Sequence, residues 1–295
     1  MTQPTSFANR VAIISGAGRG LGRAYAIALS GRGAKVVVND LGGGVDGQNG
    51  NRAAADSVVA EIRSAGGEAI ANYDSVAEDQ GAAAIVRTAI DHFGTVDIVI
   101  NNAGTFGGNL AFHATKLEDF RRLIGVHLFG TAALTHAAWP VMMKKRYGRV
   151  IMTASSAGLW GIENVSSYCA AKGGIIGLAK SLAHEGKEHN IFVNVLAPGA
   201  KTRATDALLD ESMARTWRAE LVAPAAMYLA SEACHHNGVV LAAGAGHFAR
   251  VEAVQSIGKR FDASGEVSVE DLVAHLDEID NMRDAHIRKH GLDGL

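Results

Sequence analysis

Short apolar runs alternate with longer stretches of helical periodicity along most of this chain. Val11–Ser15 (VAIIS), Lys35–Asn39 (KVVVN), Glu68–Tyr73, Asp97–Ile100, Arg149–Thr153 and Ile191–Leu196 are short, mostly apolar and often β-branched. Such runs predict buried strands. The stretches between them predict helices, first from the glycines after Ser15 to about Ser30. Further helices are expected over about Arg52–Ala65, Asp79–Phe93, Lys116–Lys145 and Asn164–His189. Pro140 should kink the helix that holds it, because proline removes a donor and crowds the preceding turn. Unbroken strand–helix alternation predicts an α/β fold with a parallel sheet and helices on both faces. It also predicts a single domain over residues 1–295. Ligands of such sheets gather at the carboxyl ends of the strands. Asp40, Asp74, Asn101, Ser155 and Pro198 fall at such ends, so one shared site is expected.

A glycine-rich turn follows the first strand at once: Gly16-Ala17-Gly18-Arg19-Gly20-Leu21-Gly22. Unpaired amides and a helix N-terminus there make a cradle for a pyrophosphate. The spacing is Gly16-x3-Gly20-x-Gly22, with Leu21 where the commoner Gly-x-Gly-x-x-Gly pattern would place its last glycine. Tight packing alone could also use such a turn. Asp40 ends the next strand, about twenty residues on, where an acid bonds a ribose diol and repels a 2′-phosphate. That favours NAD over NADP. Arg19 pulls the other way, and Leu41 offers no second cation. Asp74 either meets an adenine amino group or caps its own turn.

Tyr168 and Lys172 lie one helical turn apart, and Ser155 is thirteen residues upstream of the tyrosine. A phenol titrates near pH 10 and is a poor base at neutral pH. An ammonium one turn away stabilises the phenolate and is expected to lower that value. A serine hydroxyl can hold a substrate oxygen beside the phenol.

These motifs, with Asn101-Asn102-Ala103-Gly104 and Pro198-Gly199, resemble the short-chain dehydrogenase/reductase superfamily in order and spacing. The resemblance implies a Rossmann-like, doubly wound sheet, a nicotinamide cofactor, and Ser155, Tyr168 and Lys172 as catalytic residues. With the reading of Asp40, the cofactor is expected to be NAD. The implied cofactor contacts are Gly16, Arg19, Gly20, Leu21 and Gly22 in the turn, and Asp40, Asp74 and Ser75 beyond it. Asn101, Ala103, Tyr168, Lys172, Pro198 and Thr202 complete them. Val37–Gly43, Asn72–Val76, Val126–Gly130 and Gly244–Gly246 are similar to the dehydrogenase domains of the peroxisomal multifunctional-enzyme branch, over about residues 10–261. That likeness implies a secondary-alcohol dehydrogenase for a 3-hydroxyacyl-CoA, with a hydroxysteroid as the alternative. His127 stands where most of the superfamily has asparagine. The branch shares the histidine, which implies a catalytic part for it, orienting a water that relays the proton. The stretch Thr105–Asn109 departs from the branch.

Composition narrows the remaining classes. The 28 basic and 30 acidic residues nearly cancel, which argues against a nucleic-acid partner. Cys169 and Cys234 are too few for a disulfide framework and suit a reducing compartment. Cys169, beside Tyr168, reads as a small helix residue rather than a nucleophile. No run is long and apolar enough to span a bilayer. Met1–Asn9 lacks a basic start and an apolar run, and Asp293-Gly294-Leu295 is no peroxisomal import signal. The expectation is a soluble cytoplasmic protein, a homodimer or homotetramer, acting on an apolar small molecule. The rival is a nucleotide sensor without turnover.

Residues of about 202–224 carry Leu208, Leu209, Met213, Trp217 and Leu221 at near-helical spacing, as a lid over the substrate or one packed helix. Phe106, Trp160 and Tyr228 are candidate apolar walls or core. Past Phe261 a C-terminal extension of about 262–295 holds a capping box at Ser268-x-x-Asp271 and a stripe of Leu272, Leu276, Ile279 and Met282. The stripe covers a neighbouring subunit or folds back on its own chain. His235-His236 has no third ligand in reach, and Asp46, Asn49 and Asn51 lack a closing glutamate, so no metal is expected.

Overall fold

The computed structural model describes residues 5–44, 50–105, 107–201 and 216–287. The chain divides into two compact units, residues 1–250 and 251–295. The larger is built on a sheet of strand order β3-β2-β1-β4-β5-β6-β7-β8. Its strands are β1 (Val11–Ser15), β2 (Lys35–Asn39), β3 (Glu68–Asn72), β4 (Ile98–Asn101), β5 (Gly148–Thr153), β6 (Ile191–Gly199), β7 (Val240–Gly244) and β8 (His247–Val251). Pairing from β3 through β7 is parallel. Ala245 and Gly246 turn β7 into β8 with φ of 50° and 80°. Two successive positive φ values are what a tight two-residue hairpin turn needs.

Every residue of β1, β4 and β5 is buried, because helices cover both faces of a parallel sheet. That is why these strands read as continuous apolar runs. Helices α1 (Gly20–Ser30), α2 (Ala53–Ser64) and α8 (Ala223–Ala230) place Leu29, Val58 and Leu229 in one core cluster with Ile14, Val38 and Ile100. Helix α3 (Asp79–Phe93) packs on α5 (Gly130–Lys145), and α5 meets α7 (Ser166–Gly186). The expected long helix over Lys116–Lys145 is not one α-helix. It runs as α4 (Leu117–Ile124), a π-helical turn at Gly125–Phe129, and then α5. Pro140 lies inside α5, which continues to Lys145. The irregularity therefore falls at His127, upstream of the proline. A π turn holds an extra residue and re-aims the side chains on it.

The C-terminal unit holds an antiparallel pair, β9 (Val254–Gln255) with β10 (His286–Ile287), and helices α9 (Val269–Ala274) and α10 (Leu276–Ile279). Ser268 and Asp271 form the expected capping box. Leu272, Leu276 and Met282 are exposed. No described helix is long and apolar enough to cross a membrane.

Candidate active site

A cleft of about 740 Å³ opens at the carboxyl ends of the strands. One wall is the glycine turn. Gly16 adopts φ of +63°, and a Cβ there would stand 2.9 Å from the Ala103 Cα. Two residues that the sequence reading passed over pin this turn in place. Ser15 Oγ accepts from the amides of Asn102 (3.0 Å) and Ala103 (3.1 Å). Asn102 Nδ2 donates back to the carbonyls of Ser15 (3.0 Å) and Gly16 (3.1 Å).

Asp40 spans the turn and its neighbour: its two carboxylate oxygens accept from Gly18 N and Gly42 N, both at 2.7 Å. Asp74 lines the cleft, its Oδ2 accepting from Asn72 Nδ2 at 2.7 Å, while Asn72 caps the turn, its Oδ1 accepting from Asp74 N at 3.0 Å. Asn39, also missed, donates to the Asp74 carbonyl at 2.9 Å. Gly16, Arg19, Gly20, Leu21, Asp40, Asp74, Ser75, Ala103 and Pro198 all line the cleft.

Two expected cofactor contacts stand elsewhere. Asn101 is not in the cleft wall; its Nδ2 donates to Thr135 Oγ1 at 2.9 Å in the interior, and Asn102 takes the place facing the cleft. Alternation along an extended segment sends adjacent side chains to opposite sides, so only one of the two asparagines can face the cavity. Gly22 is not in the wall either. A Cβ there would stand 2.3 Å from Gly16 O, so it backs the turn from behind. Thr202, Phe106 and residues 202–215 of the suggested lid lie outside the described residues. Of that segment's described part, Trp217 lines the cleft. Leu159, Trp160, Ile162 and Val165 add apolar surface, while Tyr228 stands outside the wall beside His236.

The catalytic candidates converge on the cleft. β5 ends at Thr153, and Ser155 caps the short helix α6 (Ser156–Trp160), its Oγ accepting from Ala157 N at 3.2 Å. Ser155 and Tyr168 both line the cleft. Lys172 follows one turn along α7, with Nζ 5.5 Å from the Tyr168 ring centroid and donating to Thr153 O at 2.6 Å. The electrostatics differ from expectation. Burial pushes the Tyr168 phenol up, and the Ser155 hydroxyl only partly offsets this. Burial likewise pulls the Lys172 ammonium down to about 7. A half-neutral lysine stabilises phenolate less than a full cation does.

His127, on the π turn, is 4% exposed and stands edge-on to Tyr168, with ring centroids 5.4 Å apart. Its Nε2 lies 2.8 Å from Thr105 O and 3.0 Å from Thr105 N, while Nδ1 has no partner. A Cβ on Gly104 would come within 2.4 Å of the ring, so the glycine admits it. Burial, reinforced by Lys172, holds the imidazole at about 3. It is therefore neutral through the physiological range. Cys169 Sγ bonds the Ile162 backbone.

Comparison with known proteins fits this geometry. The family model for short chain dehydrogenases matches residues 10–212, and the chain belongs to that family. It is 44% identical over 279 residues to a short-chain type dehydrogenase/reductase of Mycobacterium tuberculosis, covering 95% of this chain and 96% of that one. It is also 44% identical over 258 residues to the mouse peroxisomal multifunctional enzyme type 2, covering 88% of this chain but 35% of the longer mouse protein. Among solved structures, 7α-hydroxysteroid dehydrogenase complexed with NADH and 7-oxo glycochenodeoxycholic acid superposes with a TM-score of 0.73 at 32% identity, covering 82% of this chain and 95% of that one. The protein is thus an oxidoreductase of CH–OH groups in small molecules, on a Rossmann-like doubly wound sheet.

Proposed function

We propose that this protein oxidises a 3-hydroxyacyl-CoA to the 3-oxo thioester with NAD, and runs the reverse with NADH. The observation that carries it is one continuous cleft, from Asp40 and the glycine turn to Ser155, Tyr168 and Lys172. The turn fits a dinucleotide: close-packed glycines leave no side chain between backbone and ligand. Gly16, Arg19, Gly20 and Leu21 would hold the pyrophosphate, Asp40 the adenosine ribose, Asp74 and Ser75 the adenine. Ala103, Pro198 and Lys172 would line the nicotinamide end. Bound there, the cofactor supplies the hydride acceptor. Ser155 Oγ holds the substrate oxygen, and Tyr168 Oη takes its proton. His127, neutral, orients a water behind the tyrosine. Leu159, Ile162, Val165 and Trp217 exclude water from the reacting carbon, and holding the partners together in that dry cleft is much of the rate.

NAD is favoured because both Asp40 oxygens are already fixed by backbone amides, so the carboxylate has no second place to go when a 2′-phosphate approaches. Like charges at that range cost several kcal/mol. A hydroxysteroid is the second reading, supported by the same apolar wall and by the steroid-bound neighbour. The likeness to the multifunctional-enzyme branch supports the acyl-CoA. We further propose a cytoplasmic homodimer or homotetramer, checked by fractionation and by light scattering.

The deciding experiment is a panel of hydroxyacyl-CoA thioesters and hydroxysteroids, each with NAD and with NADP, followed by absorbance of the reduced cofactor. The reading expects turnover of the thioesters and a higher kcat/KM with NAD. Preference for NADP would show that Arg19 outweighs Asp40. Cofactor binding with no turnover of any alcohol would make the protein a sensor.

A further inference from the structure

A second cavity, of about 540 Å³, lies at the amino end of the sheet and shares no residue with the catalytic cleft. Arg10 precedes β1, Tyr147 and Arg149 open β5, Phe192 opens β6, and Glu232 and Cys234 follow α8; all six line it. Arg149 is 4% exposed. Its Nε donates to Ser231 O at 3.3 Å, and Nη1 donates to Gly148 O at 2.8 Å and Asn190 O at 3.0 Å. Its guanidinium lies over two rings, 4.5 Å from the Tyr147 centroid and 4.3 Å from that of Phe192. Arg10 lies over Tyr147 as well, at 3.8 Å.

The charges in this cluster do not balance. Arg10 and Lys145 share Asp97, and Arg10 also pairs with Glu232. Arg149 has no carboxylate within ion-pair distance among the described residues. Three cations therefore face two carboxylates. A guanidinium carries five N–H donors in a fixed fork. Three of Arg149's are taken by carbonyls, and the Nη2 pair has no protein acceptor among the described residues. The Arg149 cation is held by carbonyl dipoles and two ring faces without a carboxylate, and an anion at its free Nη2 donors would add charge-assisted bonds.

We propose that this cavity is an oxyanion site, in which the carboxylate or phosphate group of a small ligand docks on the free Nη2 donors of Arg149 beside Arg10. Tyr147 and Phe192 hold the guanidinium in place. Glu232, whose side chain is 68% exposed, is the internal competitor that occupies Arg10 when no ligand is present. The site stands apart from the dinucleotide reading of the cleft.

The test titrates the full chain, with and without saturating NADH, with inorganic phosphate and separately with succinate. Ionic strength is fixed and heat is measured. The two anions separate phosphate from carboxylate preference. Wild type should bind at least one of them saturably. Glu232→Gln, at an exposed position, should bind about threefold more tightly, the worth of one exposed ion pair. Arg149→Lys keeps the charge but loses the fixed Nη2 donors, and should bind about tenfold more weakly. No saturable binding of either anion, or equal affinity in wild type and Glu232→Gln, would overturn the site. The second comparison decides even where Arg149→Lys does not fold. Failure of NADH to bind would count against the cleft reading alone.

Discussion

The two ends of β5 carry the same motif in opposite settings. At its start Arg149 is a buried cation held by carbonyl oxygens, and at its end the Thr153 carbonyl holds buried Lys172. Burial pulls both down from their ordinary values. The surroundings then diverge. At the amino end Asp97, fully buried, accepts from Val11 N at 2.9 Å and pairs with Arg10 and Lys145, tying β1 to α5. At the carboxyl end Lys172 has no carboxylate among the described residues; its neighbours are Tyr168 and the imidazole of His127. Where Asp97 meets Arg10 and Lys145, paired charge makes structure. Charge left unneutralised beside a phenol stays available to a reaction, at a cost in stability.

The sharpest way to break this contrast is Tyr168→Phe. Loss of the proton acceptor should lower kcat by about a thousandfold. NADH should still bind, since the ring remains, as fluorescence titration would show. A variant with a tenth of wild-type activity removes Tyr168 from the chemistry.

At the other end, Asp97→Asn should leave kcat per folded molecule unchanged. It should cost about 3 kcal/mol, because two cations lose their shared partner. Urea denaturation measures the cost, and a fall in kcat without a fall in stability would erase the distinction between the ends.

Lys172→Met should do the reverse. Lys172's pKa is about 7 when folded against an ordinary 10.5, so its charged form is penalised below pH 7. The unfolded chain binds the extra proton between those values, so this contribution makes stability rise with pH across that window. Replacing the lysine should therefore stabilise the protein by about 1–3 kcal/mol at pH 6 and by less at pH 10, while activity falls. Destabilisation at pH 6 would mean that the bond to Thr153 outweighs burial.

The smallest effect concerns His127. Its folded value of about 3 lies below the ordinary 6.5, so its contribution is complete above pH 6.5 and is lost as pH falls toward 3. His127→Asn should flatten the acid-side loss of Tm by an amount worth about 1–2 kcal/mol at pH 5. The kcat profiles of wild type and variant should show no histidine limb between pH 5 and 8. A limb near 6.5 that vanishes in the variant would restore a titrating imidazole.

Much of this was legible because local chemistry dictated it. Buried parallel strands must be apolar on both faces, so Val11–Ser15 and Ile98–Ile100 announce themselves. A backbone that approaches another backbone must be glycine, so Gly16 and Gly22 mark the turn. Tyr168 and Lys172 are one helical turn apart, and that spacing alone brings them together. Capping at Ser268 and Asp271 is equally local.

Other features arise from contacts between segments distant in sequence. The π turn at Gly125–Phe129 has no composition that marks it, and it seats His127 against Thr105. The resemblance implies Asn101 at the cofactor, yet Asn102 faces the cleft, because the choice depends on which side of β4 faces β1's turn. Ser15 is just the last residue of a strand until Asn102 and Ala103 arrive to use its hydroxyl. Arg149 reads as a polar strand end until Tyr147, Phe192 and Ser231 close over it. The pKa values follow the same division. Residue identity set the ordinary values of Tyr168, Lys172 and His127. Desolvation by the folded chain moved them, and desolvation depends on packing that no local pattern encodes.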